Sequence, residues 1–228
     1  MTKKLVVFDV DGTFLNSQLL YDKTVLEYSR AKGLPEPCLK TIHHGYGDPH
    51  AHDFGWGVSK DEQMRHMIET MVLADKYSMS GDPQHTPPFF DGAHQTFTYL
   101  KDAGYTLAII TSKPEEPLLH LLEYHGARDI FSAHRTFDDI ARRNEREKPE
   151  PDMLHSVMRE LDFEPQSTVM VGDTTMDIRM GLSANTHTIG VTWGAHTKEH
   201  LAGAGAHYIV ETSLGDVAEV VEKIFDTV

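Results

Sequence analysis

The feature that most constrains the fold of this chain is a short apolar run that recurs along it. The run appears at residues 5–8, 106–110, 168–171, 187–191 and 208–210. Runs of this length that are rich in β-branched residues are typical of strands buried on both faces of a parallel sheet. Each one therefore predicts a strand in the interior of the protein.

Helical patterns lie between most of these predicted strands. We predict helices over residues 91–103, 115–125, 151–161 and a final stretch around 217–225. Gly104 and Gly126 follow the first two, as expected for residues that end helices. Strands that alternate with helices predict an α/β fold, a Rossmann-like open and mostly parallel sheet with helices on both faces.

The stretch from residue 16 to residue 84 does not follow this alternation. It has no convincing strand, and its patterns predict helices over residues 22–32, 37–44 and 59–78. Ser59 and Glu62 form a capping-box pattern at the start of the last of these. That helix carries five apolar residues on one predicted face, namely Met64, Met67, Ile68, Met71 and Val72. We therefore predict a core domain of residues 1–15 and 85–228, with an all-helical cap of residues 16–84 inserted after the first strand.

The charge balance excludes some classes of partner. The chain of 228 residues has 21 Lys and Arg against 35 Asp and Glu, a formal net charge of −14. Nucleic acids and anionic membranes attract basic surfaces, so neither is expected as a partner. Cys38 is the sole cysteine, which excludes an internal disulfide and a zinc site of four thiolates. The apolar stretch near the N-terminus is too short for a signal peptide or a membrane span, so we expect a cytoplasmic protein.

Polar residues that could act in catalysis or bind a ligand follow the predicted strands. They are Asp9 and Asp11 after the first strand, Thr111 and Ser112 after the second, and Asp173 with Asp177 after the third. Because ligands of open parallel sheets bind at the carboxyl ends of the strands, these side chains are expected to converge. Clustered carboxylates repel one another unless cations are present. Mg²⁺ suits such oxygen ligands, and Lys148, in a loop before a predicted helix, would add positive charge.

Each of these features has a plain structural explanation when it is taken alone. An Asp-x-Asp-Gly sequence is often a turn, and Asp177 could simply cap a helix. Lys148 ends a charged stretch that begins at Arg142, and such stretches are usually exposed to solvent. Four features in order, each at a strand end or before a helix, favour a shared site instead.

With these motifs the sequence resembles the haloacid dehalogenase superfamily of phosphohydrolases. Its four motifs appear in order, at residues 9–13, 109–112, 148–151 and 172–177. The helical insert is similar to the cap of the phosphoglycolate phosphatase and β-phosphoglucomutase branch. The pair Lys113-Pro114, the sequence at residues 190–194 and the form of the third motif are more similar to the phosphoglycolate phosphatase side.

The resemblance implies a role for each motif residue. Asp9 would attack phosphorus and carry an aspartyl-phosphate, and Asp11 would move protons to the leaving group and from water. Mg²⁺ would be held by the carboxylates of Asp9 and Asp173 and by the backbone carbonyl of Asp11, with Asp177 supporting the ligands.

The remaining motif residues would handle the phosphate group. Thr111 and Ser112 would donate hydrogen bonds to its oxygens, and Lys148 would offset its charge against that of the nucleophile. Gly12 would let the chain turn sharply beside the phosphate, and Thr13 would support that loop.

The predicted activity is hydrolysis of a small phosphorylated metabolite, with phosphoglycolate as the first candidate. A phosphomutase is the nearest alternative, and a pyrophosphatase or phosphonatase remains open. A signalling receiver domain is the alternative from another class. The sequence does not predict the oligomeric state, nor the role of the four cap histidines His43, His44, His50 and His52, whose spacing matches no standard zinc pattern.

Overall fold

The structure of the protein, a computed structural model, describes residues 3–47 and 53–226. Among them, six strands form one sheet in the order β3-β2-β1-β4-β5-β6, and all neighbouring strands are parallel. The strands are β1 Lys4–Phe8, β2 Tyr105–Ile110, β3 Ala133–Arg135, β4 Thr168–Gly172, β5 His187–Val191 and β6 Tyr208–Val210. The predicted α/β class and the five predicted strands are confirmed.

Helices cover both faces of this sheet. Along the core, they are α4 Ala93–Asp102, α5 Glu115–Tyr124, α6 Phe137–Arg143, α7 Asp152–Leu161, α8 Thr175–Ser183, α9 Lys198–Gly203 and α10 Leu214–Asp226. Alternate residues of each strand point to opposite faces, so Val6 and Phe8 of β1 pack with α4, α5 and α10. Leu5 and Val7 pack on the other side with α7 and α8. The continuous apolar runs of the sequence follow from this double burial.

Three short elements were not predicted. The strand β3 has the sequence Ala-His-Arg, and it is followed directly by α6. The helix α9 has six residues. None of the three has apolar residues at the regular spacing of a strand or a helix, because β3 lies at the sheet edge and both helices are mostly exposed.

The chain divides into two compact units, one of Met1–Leu15 and Phe89–Val228 and the other of Asn16–Pro88. The second unit holds α1 Gln18–Lys32, α2 Leu39–Gly47 and α3 Lys60–Ser78. Its core includes Phe54 and Trp56, whose rings stack with centroids 4.8 Å apart. The predicted capping box at Ser59 and Glu62 is present at the start of α3.

The predicted apolar face of α3 is only partly buried. Met67 is buried and Met64 is partly so, whereas Ile68, Met71 and Val72 are 52%, 41% and 48% exposed. The helix packs against α1 along a narrow strip, so apolar residues on its flank stay outside the core of this unit. No helix in the described part of the chain is long and apolar enough to cross a membrane.

Candidate active site

The polar motif residues of the core meet at the carboxyl ends of three adjacent strands. Phe8 at the end of β1 pairs with Ile109 of β2 and with Val171 of β4. Asp9, Thr111 and Asp173 come directly after these strands and are 6%, 1% and 0% exposed. The register of the sheet therefore brings Asp9 close to two residues that lie more than a hundred positions further along the chain.

A cluster of three carboxylates forms at this edge. Asp9, Asp173 and Asp177 each offer an oxygen, and these oxygens lie within 4.8 Å of one another. All three residues are buried. Like charges at this spacing and depth are strongly unfavourable without a compensating cation.

One compensating cation is Lys148, whose side chain is only 4% exposed. Its ammonium Nζ donates to Asp9 Oδ1 at 2.6 Å and to Asp177 Oδ1 at 2.7 Å. The alternative that Lys148 belongs to a solvent-exposed charged stretch is wrong, because the loop after α6 turns this residue inward while Arg146 stays exposed. The peptide bond between Lys148 and Pro149 is cis.

Burial dominates the electrostatics of the cluster. It raises the pKa of Asp9 from the usual range to about 7, against the lowering effect of Lys148 and with a further rise from Asp177. Burial and the neighbouring carboxylates raise the pKa of Asp173 well above its usual value. Although burial opposes it, the carboxylates of Asp177 and Asp9 raise the pKa of Lys148, so its ammonium stays charged. When all three carboxyl groups are ionised, one lysine leaves an excess of buried negative charge, and the raised pKa values of Asp9 and Asp173 follow from it and from burial.

Asp173 is held in place from two directions. Thr13 Oγ1 donates to its Oδ1 at 3.1 Å, and the backbone N–H of Ala195 donates to its Oδ2 at 2.7 Å. Gly12 has φ of +80°, and a Cβ built on it would lie 2.2 Å from Asp173 Oδ2. A Cβ on Gly194 would come equally close to the same oxygen, at 2.2 Å. The two glycines therefore let two backbone segments close around this carboxylate.

The loop after β5 was not predicted to support the site. Trp193 Nε1 donates to the carbonyl of Thr13 at 2.9 Å, and the N–H of His196 donates to the carbonyl of Asp173 at 3.2 Å. The N–H of Thr175 in turn donates to His196 Nδ1 at 2.9 Å. In the sequence, residues 190–194 indicate only a family resemblance. Gly194, directly after Trp193, is the one signal there that two backbone segments approach closely.

Asp11 lies apart from the three clustered carboxylates. Its Oδ2 is 3.4 Å from the ammonium Nζ of Lys113, and its side chain is 28% exposed. Asp9 and Asp11 therefore have different electrostatic surroundings although one residue separates them. This Lys113 contact was also not predicted.

The remaining predicted site residues occupy the same edge of the sheet. Thr111 Oγ1 accepts from the N–H of Lys113 at 3.1 Å, so its own hydroxyl hydrogen stays available to donate. Ser112 is exposed. Asp177 also forms the capping box at the start of α8, where Thr174 Oγ1 and N–H donate to its Oδ2. The capping alternative for Asp177 thus holds together with its contact to Lys148.

The donor set fits a divalent cation. Three buried carboxylates face one ammonium group, and carboxylate oxygens are the ligands that Mg²⁺ and Ca²⁺ prefer. Asp177 accepts from the charged ammonium of Lys148, whereas the donors to Asp173 are the uncharged Thr13 hydroxyl and Ala195 N–H, so more of the negative charge of Asp173 is left for a cation.

The histidines of the cap are only partly described. His43 lies on α2, and its Nε2 is 2.9 Å from Asp22 Oδ2. His44 also belongs to α2, but its side chain, like His50 and His52 altogether, lies outside what the structure describes.

Comparisons of this chain with a family model and with curated proteins indicate the same family. The family model described as "Haloacid dehalogenase-like hydrolase" matches residues 6–191. A Dickeya dadantii protein named "Probable phosphatase IndB" is 32% identical over 92% of this chain and 90% of its own. The phosphoglycolate phosphatase of Psychrobacter arcticus is 31% identical over 85% of both chains. The pyrophosphatase PpaX of Bacillus mycoides is 25% identical over 96% of this chain and 97% of its own.

A solved structure extends the likeness to the fold. The haloacid dehalogenase-like family hydrolase from Streptococcus pneumoniae superposes with a TM-score of 0.78 at 19% identity, covering 96% of this chain and 98% of the other.

Proposed function

The chain belongs to the haloacid dehalogenase-like hydrolases and is a phosphatase, and on that premise we propose that it hydrolyses a small phosphorylated metabolite with Mg²⁺ through an aspartyl-phosphate on Asp9. One observation carries the proposal. Asp9 is a buried carboxylate at the end of the central strand, in contact with a buried ammonium and within a cluster of acids. A nucleophile that must approach a phosphoryl anion needs this local positive charge.

In the first half of the proposed reaction, a carboxylate oxygen of Asp9 attacks phosphorus and the bond from phosphorus to the leaving oxygen breaks. Asp11 gives its proton to that oxygen, so the product leaves as an alcohol. Lys148 offsets the charge of Asp9 as the anionic phosphoryl group approaches, and the hydroxyl of Thr111 donates to a phosphoryl oxygen.

In the second half, water attacks the phosphorus of the aspartyl-phosphate and gives a proton to Asp11. The bond from phosphorus to Asp9 breaks, inorganic phosphate leaves, and both acids return to their starting state. One residue thus serves as acid and then as base. The partly exposed position of Asp11 suits exchange with both leaving group and water.

Asp9 and Asp173 would hold the magnesium ion, with the backbone carbonyl of Asp11, and Asp177 would orient Lys148 and the start of α8. The ion would supply positive charge that neutralises the phosphoryl oxygens. Thr13, Ala195 and Gly194 would keep Asp173 in position for that role.

Phosphoglycolate is the first candidate substrate, because the Psychrobacter arcticus relative is a phosphoglycolate phosphatase and the helical insert fits that branch. Pyrophosphate is the second candidate, since the relative from Bacillus mycoides is a pyrophosphatase. A phosphomutase stays the nearest alternative in reaction type, because it would share every step up to the fate of the phosphate on Asp9.

Steady-state hydrolysis of a panel of phosphate esters with Mg²⁺ tests the proposal. The panel contains 2-phosphoglycolate, sugar phosphates, pyrophosphate and p-nitrophenyl phosphate, compared by kcat/KM. Asp9→Asn should lower kcat on every substrate by at least about a thousandfold. Asp102→Asn, at an exposed acid of α4, is the matched control and should not change it.

Full turnover by the Asp9→Asn variant would exclude the covalent route. Phosphorylation that stops after one event would favour a receiver domain, and release of an isomerised sugar phosphate would favour a mutase.

A further inference from the structure

The loop that carries the predicted phosphate-binding residues has no capping side chain of its own. Residues 111–114 join β2 to α5, and Pro114 occupies the position before the helix. Helices usually begin after Ser, Thr, Asp or Asn, whose side chains accept from the free N–H groups of the first turn. The side chain of proline offers no acceptor, so the first turn of α5 depends on an acceptor from elsewhere.

That acceptor is the carboxylate of Asp138, which lies in the first turn of α6. Its Oδ2 accepts from the N–H of Glu115 at 2.7 Å, within the range of a hydrogen bond to a charged group. A negative charge is also favourable near the N-terminus of a helix, because the N–H groups there carry a partial positive charge. Asp138 thus caps α5 although it belongs to another helix, 23 residues further along the chain.

The same bond continues the hydrogen-bond ladder between β2 and β3 beyond the ends of the strands. The N–H of Thr111 donates to the carbonyl of Arg135 at 2.9 Å, and the carbonyl of Lys113 accepts from the N–H of Phe137 at 3.1 Å. In a parallel ladder the next donor is the first N–H of α5, and the next acceptor is the carbonyl of Phe137. Because that carbonyl belongs to α6, the carboxylate of Asp138 takes its place.

The segment that supports the loop is itself held by side chains of the core. The N–H and hydroxyl of Thr136 donate to Asp139 Oδ2 at 3.0 and 3.2 Å, and Arg143 Nε donates to Asp139 Oδ1 at 3.0 Å. Arg135 is buried, and its guanidinium donates to Ser156 Oγ of α7 at 2.9 Å. Residues 135–138 are therefore anchored independently of the loop that they support.

Thr111 connects this support to the proposed chemistry. Its Oγ1 accepts from the N–H of Lys113 at 3.1 Å, so the backbone of the same loop orients the hydroxyl. In the proposed reaction, that hydroxyl donates to a phosphoryl oxygen. We propose that Asp138 is a positioning residue for phosphate binding, because its bond to α5 fixes the loop that directs the Thr111 hydroxyl at the phosphoryl group. The inference rests on the proposed function.

Binding of inorganic phosphate separates this role from a general effect on stability. The probe is inhibition of p-nitrophenyl phosphate hydrolysis by inorganic phosphate, with Mg²⁺ affinity measured by calorimetry on the same variants. Asp138→Ala should raise the Ki of phosphate and lower kcat/KM by about 10- to 100-fold, the cost of displacing a binding group by up to about 1 Å. Mg²⁺ affinity should change less than about threefold, because Asp9 and Asp173 follow other strands.

Variants at both ends of the bond show whether the bond itself is responsible. Asp138→Asn keeps an oxygen acceptor and should stay within about threefold of wild type. Glu115→Pro removes the donor N–H at a position where proline suits the start of a helix, and it should repeat the loss. Glu115→Ala keeps that N–H and removes only the side chain, which bonds His134 and Arg142, so it should change kcat/KM little.

Asp216→Ala is the matched control. This acid accepts from Ser213 Oγ at 2.9 Å in the first turn of α10, after the edge strand β6, and its removal should leave phosphate inhibition unchanged. A double-mutant cycle tests the link to Thr111. In a Thr111→Val background, Asp138→Ala should cost less than about threefold, because the hydroxyl that it positions is already absent.

Three results would overturn the inference. Unchanged phosphate inhibition in Asp138→Ala or in Glu115→Pro would show that the bond does not position the loop. Equal losses of phosphate and Mg²⁺ binding would show a general structural role. Full additivity with Thr111→Val would show that Asp138 acts by a route other than this hydroxyl.

Folding and the proposed function are checked separately. Far-ultraviolet circular dichroism shows whether each variant is folded, and if Asp138→Ala is not, the comparison of Glu115→Pro with Glu115→Ala decides the question. Any of the three contrary results, with a wild-type protein that hydrolyses esters, would overturn this inference alone. Wild-type protein that hydrolyses no ester would overturn the proposed function as well.

Discussion

At the scale of single residues, Lys148 is a buried cation between two acids of the site. It contacts two buried carboxylates, and its removal would leave both without a cationic partner. We expect Lys148→Met to destabilise the metal-free fold by about 3–5 kcal/mol at about pH 8, the usual cost of breaking a buried ion pair. Urea denaturation in the presence of a chelator measures this change in the free energy of unfolding.

The same variant should be less destabilised at about pH 5. The pKa of Asp9 is already raised to about 7, and loss of Lys148 would raise it further, so the carboxyl would be neutral there. Lys101→Met, at an exposed lysine of α4 that donates to the carbonyl of Asp129, serves as the control and should change the free energy of unfolding little at either pH. Equal destabilisation at both values would show that packing, not charge, gives Lys148 its structural role.

The carboxylate cluster also predicts how Mg²⁺ affects stability at different pH. Since burial raises the pKa of Asp9 to about 7, the folded metal-free protein holds a proton that the unfolded chain loses near pH 4. The metal-free fold therefore loses stability from this group as the pH rises from about 4 to about 7. A bound cation removes the repulsion that causes this loss.

We accordingly expect Mg²⁺ to raise Tm more at about pH 8 than at about pH 5, where protons compete for the same oxygens. Thermal unfolding with excess Mg²⁺ and with chelator, at each pH, measures the difference. Asp173→Asn should reduce the effect of Mg²⁺ at both values. An equal rise in Tm at both pH values would place the cation outside the Asp9 cluster.

At the scale of elements, the loop between β5 and α9 acts on the site through its backbone. Trp193 bonds the carbonyl of Thr13, and Thr13 in turn bonds Asp173. Trp193→Phe keeps an aromatic ring but removes the N–H donor. We expect Mg²⁺ affinity, measured by calorimetry, to fall by about tenfold, the lower range for partners that orient a metal ligand. Trp56→Phe, which changes the other tryptophan, should leave it unchanged.

The close approach of the same loop predicts an effect on folding. A Cβ at Gly194 would lie 2.2 Å from Asp173 Oδ2, whereas one at Gly203 would meet nothing within 4 Å. Gly194→Ala should therefore destabilise the protein by about 1–3 kcal/mol, and Gly203→Ala should not. Chemical denaturation of both variants tests the comparison, and equal stabilities would mean that the loop can move away from Asp173.

At the scale of the whole molecule, the sequence predicts those parts whose structure depends on the type of side chain at each position. Strands β1, β2 and β4 are apolar because both of their faces are buried, so they stand out as runs. Strand β3 does not, because Arg135 is buried through bonds to Ser156 and Glu160, which lie more than twenty residues away. Only tertiary structure brings these groups together.

The same distinction applies to the site. Asp9, Thr111, Lys148 and Asp173 follow strands or precede a helix in a pattern that a sequence reveals. The support from Ala195 comes from a backbone N–H, which every residue except proline carries. Such contacts leave little trace in residue type, apart from the glycine beside them.

Because the chain divides into two compact units, we expect the core to fold and bind its metal without residues 16–88. The ends of the core segment already meet, since Leu15 pairs with Phe89 as an antiparallel bridge. A short Gly-Ser linker would therefore suffice in place of the helical unit. The helices of that unit have an apolar cluster of their own, so their removal leaves the two clusters on the sheet intact.

For this isolated core we expect cooperative unfolding, a rise in Tm with Mg²⁺ and hydrolysis of p-nitrophenyl phosphate, but a weaker preference among natural phosphate esters. A core that fails to fold would show that the helical unit stabilises the sheet, and an unchanged preference among substrates would assign substrate selection to residues of the core.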